Sequence, residues 1–317
     1  MSEFDLIRDY FEGIGAKRSD VLVGVGDDGA LLEMPSSKNL VSVMDTLVES
    51  VHFPRTSPAR SVGHRALAVN LSDVAAMGAT PAWASLSLSV PQLDHDWLAD
   101  FAAGFSECAE MHGVTLVGGD TVSGPLVVTV HVTGHVDKDV HVLRAGAGPG
   151  DQIYVTGTLG DAAAGLRAMT RGDGHSFLVE RFLYPNPRVA LGMRMGRFVS
   201  SAIDVSDGLG QDLGHLLNAS NAGAVVALEN LPLSTVLTSS FAPEEARYLA
   251  LCGGDDYELC MTVPRHHVNE FEDLCESCFL RCQRIGQIDS SSGLRFTLEG
   301  KPHTVNIQGH DHFAADG

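Results

Sequence analysis

The stretch from Ala66 to Pro81, ALAVNLSDVAAMGATP, limits the fold more than any other part of the chain. Leu67, Leu71, Val74 and Ala75 recur at i, i+4, i+7 and i+8, the spacing of one helical face. Pro58 ahead of them, and Gly78 with Pro81 behind, punctuate a helix over 58–78. The segment is apolar and small enough to be buried, yet it carries Asn70, Ser72 and Asp73. A carboxylate in such a helix is costly unless something compensates its charge. Asp73 therefore reads as one ligand of a divalent-metal cluster whose other members lie elsewhere in the chain.

A chain of 317 residues is long for a single core and suggests two domains. The formal charge of −19 argues against a nucleic-acid or anionic-membrane partner, since both need a basic face. It leaves nucleotides open, because metal ions can sit between an acidic protein and phosphates. No GxxxxGK[ST] loop is present, which removes a Walker-type phosphate cradle. The start, MSEFDLIRDYFEGIG, is acidic and unlike a secretory signal, and no apolar run reaches the length of a membrane span. A cytoplasmic location is the expectation. Cys275, Cys278 and Cys282 fall at i, i+3 and i+7, as on one helix face, but no histidine follows at zinc-site spacing. They and Cys108, Cys252 and Cys260 read as buried, reduced thiols.

Taken in order, residues 3–12 read as a short helix with Phe4, Ile7 and Phe11 on one side. VLVGVGDDGALLE places Gly26, Asp27, Asp28 and Gly29 between two strand-like fragments; this is either a Gly-Asp turn or a cation site. LVSVMDTLVESVHF begins as an alternating strand that Asp45 interrupts, with Glu49 and His52 beyond. A strand follows at 83–90, and then a helix over 94–112 with Leu98, Phe101, Phe105 and Cys108 inward. VTLVGGDTVSG is a strand running into Gly118, Gly119 and Asp120, where glycine lets backbone approach a phosphate. Leu126–Val136 alternates and suits a sheet edge or a dimer contact. The glycine-rich segment 137–150 marks the boundary between domains 1–138 and 139–317, and carries Arg144, a cation suited to phosphate.

In the second half, QIYVTGTLGDAAAGL reads as strand, glycine turn and helix, with Asp161 either a cap or part of a phosphate turn. A helix is expected over 187–200. In SAIDVSDGLGQDLGHLL a short strand turns into a helix at Asp204, Ser206 and Asp207; an N-cap at Ser206 or Asp207 accounts for one of the aspartates but not both. LCGGDDYELCMTV repeats the Gly-Asp pattern before a strand, and the tail from 283 reads as two short strands and a polar end.

Asp28, Asp45, Asp73, Asp120, Asp204 and Asp207 all sit where elements are expected to end. Gathered together they would repel strongly; several Mg²⁺ ions would make the gathering tolerable. Such a set suits phosphoryl transfer, which needs positioning and charge neutralisation and here no side-chain base. A phosphomonoester acceptor is already largely anionic at neutral pH.

The motifs GVGDDGAL, MDTLVESVHF, NLSDVAAMGATP, VGGDT, IDVSDGLGQDL and GGDDYEL, in this order, resemble the thiamine-monophosphate kinase family. That family belongs to the superfamily of aminoimidazole ribonucleotide synthetase and selenophosphate synthetase. The resemblance spans about Phe4 to Phe313. It implies a two-domain α/β (α+β) fold, with an N-terminal mixed sheet that pairs in a homodimer and a C-terminal α/β domain closing a cleft that holds ATP. It implies ATP-dependent, Mg²⁺-assisted phosphorylation of thiamine phosphate to thiamine diphosphate. Carried over by position, the six aspartates are magnesium ligands. Gly119, Asp120, Arg144 and Ser206 contact ATP, and His52 and Asp255 contact the thiamine phosphate. The chain departs from the family pattern at three places: Asp255 stands for a usual Glu, Val43 and Met44 precede Asp45 where hydroxyl residues are common, and Ile307 lies near a usual aromatic. Two rival readings are a sister enzyme such as selenophosphate synthetase, which would need a reactive thiol ahead of Cys108, and a non-catalytic metal- or nucleotide-binding protein.

Overall fold

The computed structural model describes residues 6–172 and 176–307. It divides into two compact units: the chain up to Val74 together with Ala79–His141, and Ala75–Gly78 together with Val142 onward. Phe4, Phe313 and the polar end GHDHFAADG lie outside the described residues.

The first unit opens with a single π-turn, α1 (Ile7–Phe11). A small antiparallel pair follows, β1 (Val21–Val23) and β2 (Leu31–Leu32), flanking the GVGDDGA loop. Val21, Leu32 and Met34 pack on Ala82, Trp83 and Val117, which ties that loop to the main sheet. The main sheet has four strands: β3 (Lys38–Val48), β4 (Thr80–Val90), β5 (Thr115–Ser123) and β6 (Val127–Asp137). Their order is β3-β6-β4-β5, antiparallel except for the parallel pair β4–β5, so the sheet is mixed as expected. Three sequence expectations need correction. Asp45 does not interrupt β3; the strand runs eleven residues through it, because every position from Lys38 to Val48 pairs with β6. Gly118 and Gly119 do not end β5 either, since both remain paired with β4. β6 is not an edge: it lies between β3 and β4, and the edges are β3 and β5.

Two long helices, α2 (Ala59–Ala76) and α3 (His95–His112), belong to the expected spans. The side chain of Asp94 accepts the Trp97 N–H at the start of α3, and Gly113, at φ 69°, closes its end. The backbones of α2 and α3 approach closely at two glycines. A Cβ on Gly63 would lie 2.1 Å from the Phe101 carbonyl oxygen, and one on Gly104 would lie 1.9 Å from that of Arg60.

The second unit holds a seven-stranded sheet, β7 (Gln152–Thr156), β8 (Ser201–Val205), β9 (Gly223–Ala227), β10 (Glu258–Val263), β11 (Cys282–Asp289), β12 (Gly293–Leu298) and β13 (Lys301–His303). The order is β13-β12-β9-β11-β7-β10-β8. Its helices are α4 (Asp161–Arg171), α5 (Ser176–Leu183), α6 (Val189–Met195), α7 (Leu209–Ser220), α8 (Thr235–Ser240), α9 (Pro243–Cys252) and α10 (Val268–Ser277). Ile153, Val155, Ile203, Leu213, Leu216, Val226 and Ile285 form the centre of its core. The helix expected over 187–200 is shorter, and the tail carries three strands where two were expected. The three clustered cysteines do not share a helix face: Cys275 lies in α10, Cys278 at its C-cap, and Cys282 opens β11. All six cysteines are free thiols, but only Cys108, Cys260 and Cys275 are buried as expected; Cys252, Cys278 and Cys282, at or near element ends, are partly open.

Candidate active site

In the first unit the GVGDDGA loop and the middle of β5 enclose a cavity of about 320 Å³. Asp27, Asp28, Asp120 and Gly119 line its polar part; Ile7, Phe11, Leu86 and Leu116 line the apolar part. Asp28 and Asp120, far apart in sequence, thus face one space. Gly119 is fixed there by geometry. Its φ is +155°, and a Cβ would sit 1.8 Å from the Leu86 carbonyl oxygen, so no larger residue keeps the strand pairing. The Asp28 N–H is bonded to Asp27 Oδ1 at 2.8 Å, which shapes the loop.

The buried helix α2 behaves as its sequence requires. From Arg65 to Ala76 every residue is buried except Asp73, which is partly open. Asp73 lies against Asp45 of β3. Burial pushes the Asp45 carboxyl above the ordinary carboxylate range, and a hydrogen bond from Asp73 partly offsets this. Two carboxyl groups this close repel each other when both are ionised, and a cation between them removes that cost. His52 follows β3, and its Nδ1 accepts the Val48 N–H at 2.9 Å. That bond places the ring proton of a neutral imidazole on Nε2, which makes that nitrogen a donor.

The remaining candidates lie in the second unit. Asp204 is the last residue but one of β8 and is 5% exposed; Ser206 and Asp207 form the turn into α7 and are half-buried. Neither Ser206 nor Asp207 caps α7 with its side chain: the N-cap is Gly208, at φ +108°. The side chain that organises this turn is Asp212, in the first turn of α7, which sequence reading missed. Its Oδ2 accepts both the Ser206 and the Asp207 N–H at 3.0 Å. Burial, and then the charge of Asp207, push the Asp212 carboxyl up to about 7. Arg144 is exposed and close enough to Asp212 to oppose that shift.

In GGDDYEL the two aspartates part company. Asp255 is half-buried and accepts a 3.4 Å bond from the Tyr257 hydroxyl; Asp256 is buried and accepts the Gly160 and Ala162 N–H groups. Gly254, Asp255 and Tyr257 all have positive φ, at 67°, 64° and 49°. Backbone strain of this kind persists only where surrounding bonds over-determine it, and it gathers at functional sites. Asp161 does not cap α4. It is fully buried and accepts from Thr158 and Ser234. Ile307 packs on Gly210, near the start of α7.

Among the described residues no three of His, Cys, Asp or Glu come together in the manner of a protein-only metal cage. Asp28, Asp45, Asp73 and Asp120 belong to the first unit, and Asp204 and Asp207 to the second. All-oxygen donors arranged as pairs and singles fit Mg²⁺, which is commonly held by one or two carboxylates with substrate phosphates and water completing its shell.

The chain matches two family descriptions in tandem: "AIR synthase related protein, N-terminal domain" over residues 26–136, and the corresponding C-terminal domain over residues 148–299. It is 42% identical over 320 residues to the thiamine-monophosphate kinase of Escherichia coli (strain K12), covering 98% of both chains. It superposes on the crystal structure of thiamine-monophosphate kinase from Stenotrophomonas maltophilia K279a with a TM-score of 0.86 at 43% identity, covering 90% of this chain and 93% of that one. A structure of AaThiL complexed with AMPPCP and TMP gives a TM-score of 0.78 at 32% identity, covering 91% and 92% of the two chains. The mixed α/β architecture, the ordered aspartate motifs and identity along the whole length converge: this chain belongs to the thiamine-monophosphate kinase family.

Proposed function

We propose that this chain transfers the γ-phosphoryl group of ATP to thiamine phosphate and forms thiamine diphosphate. The carrying observation is full-length identity to thiamine-monophosphate kinases, one relative being complexed with AMPPCP and TMP. The bond from the γ-phosphorus to its bridging oxygen breaks as one forms to an oxygen of the acceptor phosphate. The acceptor is already anionic near neutral pH, so no residue need remove a proton from it.

The residues divide by role. Asp28, Asp45, Asp73, Asp120, Asp204 and Asp207 would hold Mg²⁺, which when bound neutralises charge between two polyanions. Gly119 offers backbone beside the cavity, Asp120 shares that wall, Arg144 offers a guanidinium and Ser206 a hydroxyl to ATP. His52, whose Nδ1 is held by the Val48 N–H so that Nε2 is the donor, and Asp255 would contact thiamine phosphate. The test is an ATP/Mg²⁺ assay with thiamine phosphate and, separately, free thiamine. Thiamine diphosphate should form from the phosphate only. Turnover of thiamine with none of its phosphate would overturn the substrate assignment.

The chain would act in the cytoplasm as a homodimer. Among the described residues no helix is long and apolar enough to cross a membrane. Strand β3 is a sheet edge of eleven residues, and Leu40 and Met44 on it are 58% and 65% exposed. Long apolar edges of this kind call for a partner. Light scattering should return twice the chain mass of 33.6 kDa; a monomer at micromolar concentration would refute the dimer.

A further inference from the structure

The turn between β8 and α7 is held from both sides. On one side the Ser206 and Asp207 N–H groups both donate to Asp212 Oδ2 at 3.0 Å, from a carboxylate only 3% exposed. On the other side the Asp255 N–H donates to the Ser206 carbonyl at 2.7 Å. Gln211 Nε2 donates to Asp207 Oδ2 at 3.0 Å and fixes that carboxylate's rotation. No room is left for the turn to drift: a Cβ on Gly254 would lie 2.5 Å from the Ser206 carbonyl oxygen, and one on Gly208 would lie 2.8 Å from that of Leu251.

An acid in the first turn of a helix ordinarily serves its own helix. Asp212 instead reaches back to two residues that precede α7, and it does so while buried beside another carboxylate. Burying a charge next to a like charge is unfavourable. The two donors it satisfies belong to the residues expected at the nucleotide and the metals.

We propose that Asp212 is a positioning residue for phosphoryl transfer. It fixes the peptide that aims the Ser206 hydroxyl and the Asp207 carboxylate, and through the Ser206 carbonyl it also sets the backbone of Asp255 on the acceptor side. The proposal rests on the site reading given above. It makes Ser206 the point at which nucleotide-side and acceptor-side loops are laced together within one unit.

The test compares Asp212→Ala, Asp212→Asn and Asp207→Asn in the full chain. It uses steady-state kinetics for both substrates, thermal melting, and amide hydrogen exchange across residues 204–212. Displacing reacting groups by about 1 Å costs on the order of 10²-fold in rate. Asp212→Ala should therefore lose about that much kcat, with exchange accelerated at Ser206 and Asp207. Asp212→Asn, whose amide oxygen still accepts both N–H groups, should recover most of the loss. Wild-type kinetics for Asp212→Ala would overturn the proposal. So would equal activity losses in the Ala and Asn variants that track equal losses of melting temperature, since that pattern marks a purely structural residue. Asp207→Asn separates the two claims: if it retains full activity the site reading fails, and if it is inactive while Asp212→Ala is normal, only the positioning role fails.

Discussion

Asp73→Asn will lower turnover on the order of 10³-fold while leaving the fold intact. The reason lies in α2. Asp73 is the one partly open position in a helix segment otherwise buried from Arg65 to Ala76, and it lies against Asp45. In metal-free buffer an amide at position 73 removes one of two adjacent carboxyl groups and can donate to the other, so the variant should melt no lower than the parent. Loss of activity without loss of stability distinguishes a ligand from a packing residue. A variant that keeps a near-normal rate would remove Asp73 from the site. One that loses activity only because it unfolds would return it to the core.

Glu258→Ala will have the opposite character, destabilising the second unit by about 3–5 kcal/mol. Glu258 is fully buried at the start of β10. Arg181 Nη2 reaches its Oε1 at 2.8 Å, Arg188 Nε reaches Oε2 at 2.6 Å, and Thr156 Oγ1 donates to Oε2 at 2.6 Å. Burial alone would raise its pKa, but the two guanidinium groups outweigh burial and hold the carboxyl below the ordinary range. Removing it strands two partly buried cations against one another. Gly157 belongs to the same device, because a Cβ there would lie 2.1 Å from Glu258 Oε1. The hub joins the ends of β7 and β10 to α5 and the start of α6, and it anchors the strand that follows the strained Asp255–Tyr257 loop. Urea unfolding should show the loss directly. A change below about 1 kcal/mol, the worth of an exposed ion pair, would mean that the hub is not what fixes the loop.

The two cases show what was legible in the sequence and what was not. α2 and α3 were legible because long 3.6-residue periodicity and local punctuation act within a few residues; Asp94 and Gly113 mark the ends of α3 where expected. The oddity of Asp73 was legible because a charge in an apolar helix is visible in one dimension. Strand ends were read too early at Asp45 and Gly118, since a polar residue or a glycine looks like a terminator until cross-strand pairing is known. Asp212 was hidden by a better-placed rival: Ser206 and Asp207 sit where a cap normally sits, whereas Asp212 reaches back across Gly208. A glycine at the N-cap with an acid four residues on is the signal that could have revealed it. The parting of Asp255 from Asp256 had no sequence signal, because it depends on the amides of Gly160 and Ala162, more than ninety residues away. The same is true of the arginines that meet Glu258.

In the proposed reaction the aspartates act through divalent cations. Its most direct test is a Mn²⁺ titration followed by electron paramagnetic resonance, in the presence of AMPPCP, on the parent chain, Asp73→Asn and Asp28→Asn. More than one ion should bind per parent chain, with a reduced number or affinity in each variant. Identical binding curves for all three proteins would contradict that role of the aspartates.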